Sequence, residues 1–224
     1  MADKKTLVDA LHTALASENA ISLISVTTDP GCGVSHSVKE FTNTEELDFI
    51  DIRCAQLDES ELVNGLPAVR HVLMSEKPVV ILLDEVGPYT FYKAQKIITQ
   101  IHEQAAGKVL VVLVGLRKDS EDRVCDPLPE YIQKHGFSTV QIGPFEITES
   151  FIEFLRKQKK SDTHLKVADF IEKNGLSGAT PQQWQLFAIT QEMKLDHAAA
   201  CGLGDMELAQ RFVEWQPGQG KTVQ

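Results

Sequence analysis

Two uninterrupted apolar runs, at residues 78–83 and 109–114, limit what this chain can fold into. A strand wetted on one face alternates apolar and polar side chains. A strand apolar at every position is buried on both faces, as in a parallel sheet covered by helices. The surrounding pattern agrees. A helix is expected over residues 5–18, with Leu7, Leu11, Ala14 and Leu15 on one face, then a strand over 20–27. A helix at 35–41, a short strand at 49–52 and a partly helical stretch at 58–75, broken by Gly65-Leu66-Pro67, come next. Residues 89–104 carry Ala94, Ile97, Ile98 and Ile101 at helical spacing, and 139–142 reads as a fifth strand. Strand and helix alternate through residue 146, which predicts a parallel α/β sheet.

Beyond Pro144 strands stop and helices take over. Ile147, Phe151, Phe154 and Leu155 form one apolar face. A second helix at 163–173 ends at Asn174-Gly175, a favoured C-cap. A third starts at Thr180, with Pro181 suited to the first helical position and Gln183 completing a capping box. A fourth is expected over 205–215, with Leu208, Ala209, Phe212 and Val213 inward. The expected division is a core over 1–146, a small helical lobe over 147–216 and a polar tail over 217–224.

Composition removes several functional classes. The formal net charge of −10 argues against a broad nucleic-acid footprint, which rests on neutralising phosphates. No apolar run approaches the ~18–20 residues that span a bilayer, and residues 1–20 lack the apolar core of a signal peptide. Cys32, Cys54, Cys125 and Cys201 form no C-x-x-C pair and read as free thiols of a reducing, cytoplasmic setting.

The main site signal lies between the first strand and its helix. Thr28-Asp29-Pro30-Gly31-Cys32-Gly33-Val34-Ser35 has the length and place of a Walker A loop, followed by His36. Glycines there let backbone N–H groups point at phosphates, and the helix N-terminus adds positive potential. Ser35 supplies the hydroxyl that ligates Mg²⁺. Thr28 stands where the first glycine belongs and Val34 where the lysine belongs. That lysine makes charge-assisted contacts worth roughly 1.5–3 kcal/mol each. A glycine turn between strand and helix is also common as mere structure.

The second signal is Asp84-Glu85, closing the apolar run Val79–Leu83. It fits a Walker B strand, with Asp84 for Mg²⁺ and Glu85 to polarise water. Many buried strands end in an acid, so its placement 49 residues after Ser35 is what makes the pair specific. Gly218-Gln219-Gly220-Lys221-Thr222 imitates the end of a Walker A loop but follows no strand and precedes no helix.

With these residues in view, the chain resembles the AAA+ ATPases, specifically the MoxR-like branch. The resemblance draws also on Phe49–Asp58 with Gly65-Leu66-Pro67, on Leu116–Arg123, on Ala179–Trp184 and on Gly202–Ala209. It implies a P-loop NTPase fold: an αβα core with a parallel five-stranded sheet, and a helical lid. It implies ATP or ADP with Mg²⁺ as cofactor, a ring of subunits and a protein client to be remodelled. It also marks what is missing. Leu116 falls near the polar sensor of the fourth strand. Lys134-His135-Gly136-Phe137 replaces the arginine finger, and Gln182 replaces the second sensor arginine.

Stripped of these groups, the expected protein is a degenerate nucleotide-binding subunit with weak or absent hydrolysis, in a ring with itself or with an active relative. The alternatives are a working Mg²⁺-ATPase using Glu85 as base, and a DNA-associated loader resting on Arg156-Lys157-Gln158-Lys159-Lys160. That basic run reads more simply as a solvated helix end. Trp184 and Trp215 are expected to pack in the core, Tyr89, Phe91 and Tyr92 to pack against the sheet or else to line a subunit interface or pore, and Cys32 to fill the loop.

Overall fold

The structure is a computed structural model of the chain and describes residues 4–28, 31–64, 66, 69–70, 74, 77–87, 89–116, 138–141, 148–158, 162–192 and 201. It divides into two compact units. One comprises Met1–Pro30 with Val34–Phe145, the other Gly31–Gly33 with Glu146–Gln224.

The first unit is α/β. In chain order it contains α1 (Lys4–Ala16), β1 (Ile21–Thr28), α2 (Val34–Thr44), β2 (Asp48–Arg53), a 3₁₀ turn (Cys54–Gln56), α3 (Glu59–Asn64), β3 (Val79–Val86), α4 (Phe91–Gln104), β4 (Val109–Leu116) and β5 (Ser138–Gln141). The strands form one sheet in the order β2-β3-β4-β1-β5, with every pairing parallel. The two apolar runs become β3 and β4, at the middle of the sheet. Val79 to Leu83 and Val109 to Val114 are at most 3% exposed, because helices cover both faces.

Parallel register assigns each face. Ile81, Leu83, Val111 and Leu113 pack with Leu23 and Ile52 against Ala94, Ile97, Ile98 and Ile101 of α4. Val80, Leu82, Leu110 and Val112 alternate onto the opposite face. There α2 presents Val34, Ser37, Val38, Phe41 and Thr42, spaced i, i+3, i+4, i+7 and i+8, all buried. A large side chain buried in this way contributes roughly 1.5–3 kcal/mol.

The second unit contains α5 (Thr148–Lys157), α6 (Asp162–Asn174) and α7 (Pro181–Glu192). Trp184, fully buried, centres it. Its ring lies 5.3 Å from Phe170 and 5.8 Å from Phe187, and its Nε1–H donates to the Leu176 carbonyl at 2.9 Å. The capping box at Thr180 forms as expected. The Thr180 N–H donates to Gln183 Oε1 (2.8 Å), and the Gln183 N–H donates to Thr180 Oγ1 (3.3 Å). At the end of α6, Gly175 takes a φ of +68°, as its C-cap role requires. The helix expected over 205–215, with Trp215, lies outside the described residues.

Candidate functional site

Backbone conformation explains the two loop glycines. Gly31 and Gly33 have φ of +77° and +85°, a region that L side chains rarely adopt. Between them Cys32 is 5% exposed, a buried filler. Asp29 and Pro30 lie outside the described residues. Thr28, at the first-glycine position, is the last residue of β1; it is 4% exposed and in register with Leu116, the last residue of β4.

Val34 opens α2 and is 3% exposed. Where a Walker lysine would reach for phosphate, this chain places an apolar side chain into the stripe that seats the helix. Ser35 faces elsewhere: its Oγ–H donates to Asp84 Oδ2 at 2.5 Å. One hydrogen bond thus joins the two motifs that sequence spacing paired. His36 is exposed on the same first turn.

The second acid depends on an irregularity in β3. Leu83 pairs with Leu113 and Val86 with Gly115, so Asp84 and Glu85 together stand opposite Val114. This is a β-bulge, and Glu85 takes its left-handed position with φ +58°. A non-glycine residue there is strained by roughly 1–2 kcal/mol. Side chains hold the conformation. The Glu85 N–H donates to Asp84 Oδ1, Thr90 Oγ1–H donates to the Glu85 carbonyl, and the Gly87 N–H donates to Thr90 Oγ1, each at 2.8 Å.

More charge gathers here than the motifs announce. Burial, and then Asp84, raise the Asp51 pKa above its ordinary value, while Arg53 and Lys39 pull it down. Burial, and then Asp84, push the Cys54 thiol up to about 12, with Lys93 opposing and Glu85 adding to the rise. Asp51 and Arg53 line a cleft of about 440 Å³ beside β2, the edge strand. Spacing along the chain gave no role to Lys39, which does not match the lysine position, nor to Asp51, Arg53 or Thr90. The first three converge through strand register and the phase of α2, and Thr90 through the bulge.

Among the described residues no three of His, Cys, Asp and Glu converge as a metal-binding group. Ser35 and Asp84 nevertheless offer the hard oxygen donors that suit Mg²⁺, an ion that takes one or two protein ligands and completes its shell with water and phosphate.

The remaining expected positions divide. In the second unit, Gln182 lies on the first turn of α7 against Gly31: a Cβ on Gly31 would meet Gln182 Oε1 at 2.8 Å. Leu116 closes β4. Gly136 with the rest of 134–137, the segment 117–123 and residues 202–209 and 218–222 lie outside the described residues.

One expectation is corrected. Tyr89 is 85% exposed and Tyr92 38%, so they do not pack in the core; only Phe91 packs against it. Tyr89 precedes α4, and Tyr92 lies off the stripe through Ala94, Ile97, Ile98 and Ile101, where its hydroxyl donates to Glu59 Oε1 (3.2 Å). In the basic run, Arg156 is engaged by Asp169 (3.2 Å) and Glu172 (2.6 Å), and Lys157 by Glu153 (2.8 Å). No described helix is long and apolar enough to cross a membrane. No protein-family model matches the chain, and no curated protein matches it.

Proposed function

We propose that the chain is a P-loop NTPase-like protein of the AAA+ type, nearest the MoxR-like branch, whose nucleotide site has lost its catalytic cations. It serves as a structural or regulatory subunit in protein remodelling. The carrying observation is the hydrogen bond from Ser35 to Asp84, which unites the loop serine and the strand-end acid on one face of a parallel sheet. Burial of Val34 supports loss of the motor. With the lysine position given to packing, the phosphates lose contacts worth roughly 1.5–3 kcal/mol each, or about tenfold or more in affinity apiece. Of the charged groups that the AAA+ resemblance implies around the phosphates, only the Mg²⁺ position is left to neutralise the charge of phosphoryl transfer.

Calorimetric titration with Mg·ATP, alongside a turnover assay, tests this. The native chain is expected to bind in the millimolar range with turnover near background. Val34→Lys, a side chain able to snorkel from a helix start, is expected to tighten binding at least tenfold. Micromolar binding with turnover by the native chain would overturn the loss of function. Binding by neither protein, both folded by circular dichroism, would overturn the nucleotide site itself.

A further inference from the structure

We propose that Arg53 and Lys39 grip the phosphate chain of a nucleoside di- or triphosphate in this site, in place of the lysine that the loop lacks. This rests on the reading of the Ser35–Asp84 face as a nucleotide site and names the cations of that site.

Two periodicities place them. Ser35 and Lys39 are four residues apart on α2, so they lie one above the other on one face of the helix. Ser35 touches Asp84, which fixes that face toward the end of β3. On β2, Arg53 is in direct register with Asp84. Neighbours in parallel register project to the same side of a sheet, with strands ~4.8 Å apart. Arg53 therefore shares the face of Asp84, and Asp51, two residues earlier, shares it too. Both cations act on the Asp51 carboxyl, as expected of charges gathered at one place. Both are exposed.

The chemistry suits phosphate. A guanidinium offers a planar fork of donors to two phosphate oxygens, and an ammonium adds a compact charge. Mg²⁺ held by Ser35 and Asp84 would offset the local carboxylates and orient the same oxygens. The competing account is that Arg53 and Lys39 only neutralise Asp51 and Asp84. Under it, their removal would alter stability and leave anion binding unchanged.

The test is titration with Mg·ADP and with Mg·pyrophosphate, in the native chain to millimolar concentration and in the Val34→Lys background. Arg53→Ala and Lys39→Ala are each expected to weaken binding roughly tenfold, and Arg53→Lys to recover part of the loss. Lys96→Ala, on α4 against the opposite face, removes equal charge and is expected to leave binding unchanged. Equal binding by native, Arg53→Ala and Lys39→Ala proteins would overturn the proposal, as would a matching loss in Lys96→Ala. So would no binding by the native chain beside tight binding by Val34→Lys that neither substitution weakens, and the nucleotide site would then stand without these cations. Binding by no variant would overturn the site and this proposal together. If Val34→Lys fails to fold, the native titrations decide alone.

Discussion

Two helices begin in contrasting ways. Before α7 stands Thr180, whose side chain and backbone exchange hydrogen bonds with Gln183. Before α2 stands Gly33, with no side chain and a φ of +85°. The first-turn polar group of α7 is used on its own helix end, whereas that of α2, Ser35, reaches another element at Asp84. The first is a structural terminus, complete in itself. At the second, local stability is given up for a loop that only glycine can form and a serine turned toward a strand end. Conformational expense at that place, with polar groups aimed outward from it, is what separates a site from a cap.

The contrast can be broken most sharply at Gly31. A Cβ there meets Gln182 at 2.8 Å and Thr180 at 3.0 Å, in a left-handed conformation. Gly31→Ala should cost on the order of 2–3 kcal/mol, seen as a lower denaturation midpoint. Thr180→Ala removes a side-chain cap and should cost about 1 kcal/mol by the same measure. Equal costs at both positions would erase the distinction.

The smallest effect tests whether α2 faces a charged cluster. Burial and Asp84 raise the Asp51 pKa above its ordinary 3.8, so the folded chain holds that proton more tightly than the unfolded chain. The resulting stability is complete below pH 3.8 and is lost as pH rises through the raised value. At pH 7 the ionised carboxylate is a net load. Asp51→Asn should raise the melting temperature by on the order of 1 °C there, a modest shift for so exposed a group. The gain should vanish below pH 3.8.

What was legible in the sequence was local. Continuous apolar runs announced β3 and β4, since strands inside a parallel sheet are buried on both faces. The capping box and the Gly175 C-cap follow from a few adjacent residues. The pairing of Ser35 with Asp84 followed from motif order. Other features were hidden because they depend on register. The bulge that carries Glu85 leaves no trace in composition, since the position that favours glycine holds glutamate. Arg53 meets Asp84 only because β2 and β3 pair without offset, and the exposure of Tyr89 and Tyr92 depends on where α4 begins. Val34 read as a missing lysine; its second meaning, as a core residue, needed the phase of α2.

The strand order has a consequence for biosynthesis. β1 lies between β4 and β5, and Ile21 finds its ladder partner at Val109, 88 positions later. The first strand made is thus among the last to be sheathed. At ordinary rates of translation the wait is on the order of ten seconds. Throughout it, the apolar flanks of Leu23, Ile24 and Val26 must be kept from other nascent chains, and the loop that follows them cannot take its working shape until β4 has left the ribosome.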